Sequence, residues 1–166
     1  MIIAITGASG VGKTTALKAL AETLADNQQV KIFHFDDMGM PNWDEVPDTV
    51  KWQEEATVAW IDKLVKIART EKVHILFEGS TDFRFYIQGF EKNDYNDYKL
   101  FLFDCSEETM KNRLIQRGQA ELYQPQMVGW LNYLRREALA QEIEIINTEQ
   151  LSITEIRQQI INAIVI

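Results

Sequence analysis

Gly7-Ala8-Ser9-Gly10-Val11-Gly12-Lys13-Thr14 is the stretch on which the reading of this chain turns. It has the form G-x-x-x-x-G-K-[ST]. Glycines at this spacing let the backbone wrap tightly, so that successive N–H groups point inward at phosphate oxygens. The residues before it, Ile2–Thr6, form a short apolar run that reads as a buried strand. The residues after it, Lys13–Ala25, read as a helix with Ala16, Leu17, Leu20 and Leu24 on one stripe. A strand, a glycine-rich turn and a helix N-terminus together make an anion cradle, because the helix start adds about half a positive charge. Lys13 is expected to reach the β- and γ-phosphates of a nucleotide, and the Thr14 hydroxyl to ligate Mg²⁺. The nucleotide-binding set is Gly7, Ala8, Ser9, Gly10, Val11, Gly12, Lys13, Thr14 and Thr15.

Further along the chain, apolar runs alternate with helical patterns. Val30–Phe35, Val73–Phe77, Lys99–Asp104 and Ile143–Ile146 read as strands. A long helix is predicted over Thr49–Thr70, capped by Asp48, with Trp52, Ala56, Trp60, Leu64 and Ile67 at near-helical spacing. Helices are also predicted over Ser106–Arg117, from Pro125 to Ala138, and over Ser152–Val165; Thr81–Phe90 fits either type. Five short apolar strands separated by helices imply β-α-β units and a parallel sheet. The expected class is α/β, a three-layer α/β/α arrangement in one domain over residues 1–166, with Met38–Asp48 as the most mobile loop.

Composition narrows the chemistry. The chain has 166 residues, enough for one domain with a real core. Its 17 basic and 25 acidic residues leave a net charge of −8, which argues against non-specific binding to nucleic acid or an anionic membrane. Cys105 is the sole cysteine, so an intramolecular disulfide and a cysteine-based zinc site are excluded and a cytoplasmic location is expected. The N-terminus lacks the pattern of a secretory signal, and no apolar run approaches the ~20 residues of a membrane span.

Three further clusters carry chemistry. Asp36 and Asp37 close the second strand, where a carboxylate can orient a hydroxyl and accept its proton. Glu78 closes the third. Arg113 and Arg117 lie four apart, on one face of a helix, where like charges repel unless a polyanion sits against them. Together with the cradle, these residues resemble the small-molecule P-loop kinases, a group that includes nucleoside, nucleotide, shikimate and gluconate kinases, and most of all a bacterial nucleoside-kinase-like branch. The resemblance implies a P-loop NTPase fold with a five-stranded parallel sheet and a short helical lid over about residues 113–124. It also implies ATP and Mg²⁺ as cofactors. Asp36 would be base or substrate anchor, with Asp37 second choice as base or else a metal ligand. Glu78 would stand at the Walker B position on Mg²⁺. Arg113 and Arg117 would close on the transferring phosphoryl group, and Arg84 would contact the acceptor. One of Arg135 and Arg136 is a further candidate for lid or substrate, Trp43 for stacking on an aromatic acceptor, and the Asn147–Leu151 turn for contact with adenine.

The function this implies is transfer of the γ-phosphoryl of ATP to a hydroxyl of a small molecule, such as a nucleoside-like, sugar or antibiotic-like acceptor, by a monomer or homodimer. The short lid, without zinc cysteines, argues against nucleoside monophosphates. The alternatives are a nucleotide-dependent ATPase switch or binding module without such an acceptor, and a kinase fold kept for protein interaction. A guanine-reading N-K-x-D is absent, since Glu91-Lys92-Asn93-Asp94 matches it only superficially.

Overall fold

β1 (Ile2–Thr6) is buried along its whole length. Its side chains alternate between two cores: Ile2 and Ala4 join one apolar cluster, Ile3 and Ile5 the other. A strand covered on both faces must lie inside a sheet with helices above and below. The computed structural model, which describes residues 1–24 and 29–165 apart from the side chains of Trp43 and Val165, has this architecture.

The remaining strands are β2 (Val30–His34), β3 (His74–Glu78), β4 (Tyr98–Asp104) and β5 (Glu144–Asn147). They form one sheet in the order β2-β3-β1-β4-β5, with every pairing parallel. The helices are α1 (Lys13–Thr23), α2 (Thr49–Glu71), α3 (Phe83–Lys92), α4 (Glu107–Gln116), α5 (Pro125–Ala140) and α6 (Ile153–Val165). Residues of α2 and α3 share a core with one sheet face, and residues of α1, α4 and α6 with the other. This is the expected three-layer α/β/α fold. Ala25, the expected last residue of α1, lies outside the described residues.

Asp48 caps α2 as read from the sequence, accepting from Lys51 N–H at 2.9 Å. Trp60 belongs to the core, 3% exposed, and its indole N–H donates to Phe35 C=O at 3.1 Å. The ambiguous segment 81–90 is helical from Phe83 on: Asp82, still extended, caps α3 by accepting from Arg84 N–H at 2.9 Å. Its aromatic residues favour a strand locally, and packing decides otherwise. Gly89 lets α3 approach α2 so closely that a Cβ there would stand 2.7 Å from Ile61 Cβ. Met38–Asp48 contains parts of two 3₁₀ turns, 35–38 and 43–45. After α4 the chain turns at Gly118, makes a short 3₁₀ turn over 120–122 and enters α5 at Pro125. Tyr123 O–H donates to Glu107 at 2.5 Å and holds this segment to α4. Among the described residues, no helix is long and apolar enough to cross a membrane.

Candidate functional site

The cradle sits where β1 turns into α1, at the C-terminal edge of the sheet. Gly10 and Gly12 take φ of +89° and +103°, a region that residues with a Cβ avoid. The Lys13 ammonium folds back across the loop and donates to Gly7 C=O at 2.8 Å and Ala8 C=O at 3.2 Å. Burial depresses its pKa, while the Glu78 and Asp36 carboxylates pull it back up and Arg117 pushes it further down. Three charged side chains therefore act on the Lys13 ammonium, and all four stand close together.

They also line one cleft, of about 150 Å³, together with Ser9, Thr14, Phe35, Gly79 and Ser80. Thr14 Oγ1 lies 3.5 Å from Glu78 Oε1. Oxygen donors of this kind suit Mg²⁺, which keeps several waters and takes few protein ligands. No group of three His, Cys, Asp or Glu able to hold a metal occurs among the described residues. The donor set therefore fits an ion shared with a nucleotide's phosphates rather than a metal caged by protein.

A second cavity, about 280 Å³, adjoins the first across the cradle and is lined by Gly10, Gly12, Thr15, Arg113, Gln116, Arg117, Thr148, Ile153 and Ile156. Its apolar side suits a nucleobase. Thr148, in the turn after β5, is the point at which the expected adenine-contacting loop meets this cavity.

Arg113, in the last turn of α4, and Arg117, at its C-terminal cap, part company. Arg117 lines both cavities and donates to the Gln119 side chain. Arg113 does not reach the phosphate side. Its guanidinium donates to Val11 C=O at 3.1 Å, to Thr148 Oγ1 at 2.9 Å and to Thr148 C=O at 2.8 Å. It thus ties the cradle backbone to the turn after β5. Two further expected residues stay outside the cleft that Asp36 lines. The Asp37 carboxylate accepts from His34 N–H at 3.0 Å, closing the 3₁₀ turn 35–38. Arg84 spends its Nε and Nη2 on Asp82 Oδ2, at 3.1 and 2.7 Å. The Arg135 fork is taken by Asp104, at 2.8 and 2.9 Å, and Arg136 stacks over Tyr133. The side chain of Trp43 lies outside the described residues.

Sequence reading gave His34 no role, yet its Nδ1 is 2.8 Å from Glu78 Oε1. The two residues are register partners in the β2–β3 pairing, a relation that only strand order reveals. Ser80 was also missed. It lines the cleft, accepts from Trp130 Nε1 at 3.2 Å through its hydroxyl, and accepts from Gln53 Nε2 at 3.0 Å through its carbonyl. Nothing local in the Gly79-Ser80-Thr81 run marks it.

Residues 3–127 match a family model described as an AAA domain. No curated protein matches the chain. Among solved structures, an unliganded sugar kinase from Janibacter sp. HTCC2649 superposes with a TM-score of 0.74 at 16% identity, covering 99% of this chain and 94% of that one. A gluconokinase from Sinorhizobium meliloti 1021 gives 0.67 at 16% identity, covering 98% and 90%. A deoxyadenosine kinase from M. mycoides with bound dATP gives 0.55 at 19% identity over the full length of both chains. At these identities the likeness establishes the shared fold.

Proposed function

The chain belongs to the AAA domain family, and from that premise we propose that it is a small-molecule phosphotransferase, moving the γ-phosphoryl of ATP, with Mg²⁺, to an acceptor hydroxyl. One observation carries this reading: Asp36, beyond β2, lines the same cleft as Lys13, Thr14, Glu78 and Arg117. A carboxylate there is placed to orient a hydroxyl beside the phosphate site and to accept its proton. That a sugar kinase, a gluconokinase and a deoxyadenosine kinase share this fold supports the same reading.

In this proposal the cradle N–H groups and Lys13 grip the β- and γ-phosphates. Thr14 and Glu78 would hold Mg²⁺, which supplies charge neutralisation on the phosphate oxygens. Asp36 orients the acceptor hydroxyl and takes its proton as the new O–P bond forms and the bond to the β-phosphate oxygen breaks, leaving ADP. Arg117 neutralises charge on the transferring group. Catalysis is then mostly positioning and electrostatics. A single domain over residues 1–166, with the segment after Arg113 serving as lid to about residue 124, belongs to the same proposal, as does action on small molecules inside the cytoplasm.

The test is acceptor-dependent ADP release with purified protein. Asp36→Ala is expected to lower transfer on the order of 10²–10⁴-fold while nucleotide affinity survives. Unchanged transfer in that variant removes Asp36 as base. ATP hydrolysis indifferent to every acceptor, and stimulated by a protein instead, favours a nucleotide-driven switch.

A further inference from the structure

We infer that the acceptor brings no negative charge to the site: it is an uncharged hydroxyl compound, and carboxylate- or phosphate-bearing acceptors are rejected. This deepens the phosphotransferase reading and rests on it. The inference comes from how the cations around the cleft are employed. Those that line it are Lys13 and Arg117, set against Asp36 and Glu78. Lys13 is bound within the cradle, on Gly7 and Ala8 carbonyls. Arg117 stands between the cleft and the base cavity, where the phosphate chain must pass. Both are thereby committed to the nucleotide.

The wall beyond the cradle holds Asp36, Phe35, Gly79 and Ser80, and among the described residues no other Lys or Arg lines it. Arg84, expected from the sequence to contact an anionic or hydroxyl-rich acceptor, is already paired. It pairs with Asp82, whose Oδ2 accepts from Tyr133 O–H at 2.6 Å as well. The Asp82 side chain is 4% exposed, so drawing Arg84 away would strand a buried carboxylate. An anionic acceptor would therefore meet Asp36 with no counter-charge, and like charges in a partly desolvated site are strongly selected against.

The neutral groups present suit a polyol or a nucleoside-type hydroxyl. Asp36 accepts from the reacting O–H. Ser80, whose hydroxyl oxygen already accepts from Trp130, keeps its own O–H to donate. Phe35 offers an apolar face.

The experiment uses matched pairs with the full chain, ATP and Mg²⁺: an aldose against its aldonate, and a nucleoside against its 5′-monophosphate. In any pair that turns over, kcat/KM is expected to favour the neutral member by about tenfold or more. An anionic member that equals or exceeds its neutral partner overturns the inference and leaves the phosphotransferase reading standing. Calorimetry of the same pairs on protein loaded with a non-hydrolysable ATP analogue separates the two failures. Selective binding of neutral members without transfer overturns the phosphotransferase reading and leaves only the charge selectivity of the cleft standing. Binding of the anionic members overturns the inference. Neither binding nor turnover with any pair overturns both.

Discussion

Arg113 and Arg117 lie one helical turn apart and do different work. Arg113 makes three hydrogen bonds to Val11 and Thr148, and Thr148 Oγ1 itself donates to Val11 C=O at 2.5 Å. Removing the guanidinium leaves part-buried acceptors short of donors. Arg113→Ala is therefore expected to cost about 2–3 kcal/mol in urea unfolding, and to weaken nucleotide binding because the cradle loses its tie to β5. Arg117 is solvent-exposed, and among the described residues its guanidinium hydrogen-bonds only the neighbouring Gln119 side chain. Arg117→Ala should leave stability within about 0.5 kcal/mol and lower kcat about 10²-fold, more than it lowers nucleotide affinity. The same change in stability for both variants would refute this division. His34 illustrates the same scale: a residue that reads as an ordinary strand end in sequence touches the Glu78 carboxylate in space.

Among the elements, α3 depends most on a single charged group. Asp82 caps the helix, pairs with Arg84 and accepts from Tyr133 of α5, joining two helices at the edge of the cleft. Burial pushes its carboxyl pKa up, but hydrogen bonds from Arg84 and Tyr133 outweigh that and hold it below the ordinary value of 3.8. A depressed carboxyl contributes stability above its unfolded pKa and loses it as pH falls through the folded value. Asp82→Asn keeps a capping oxygen and loses the charge. It should be less stable by about 1–3 kcal/mol at pH 7. The gap should hold down to about pH 5 and narrow below about pH 4. Urea midpoints across that range measure it, and a gap independent of pH would refute the account. α2 is less fragile, since its stripe of buried side chains spreads its stabilisation over several turns.

For the molecule as a whole, both cavities open at the C-terminal ends of the strands, where ligands bind in open α/β sheets. The cradle, β2, β3 and the α4–α5 segment all contribute, so nucleotide binding should stabilise the entire fold. With Mg-ATP at about 100 times its Kd, the gain is about 2.7 kcal/mol, or roughly 5–10 °C in Tm for a domain of this size. Lys13→Ala should lose most of that shift in calorimetry; a wild-type protein unmoved by any nucleoside triphosphate with magnesium would refute the nucleotide site. The features legible beforehand were local ones. The cradle needs only a glycine spacing, and β1, α1 and the capped α2 declare themselves by period and cap chemistry within a few residues. Apolar runs buried on both faces likewise implied the parallel sheet. Partner choice was decided by the tertiary structure. The order β2-β3-β1-β4-β5 sets His34 opposite Glu78, brings Ser80 into the cleft, hands Arg84 to Asp82, and aims Arg113 beneath the cradle. Parallel neighbours pair across long stretches of intervening chain, so a charged side chain's partner depends on where remote elements come to rest, which no short window of residues encodes.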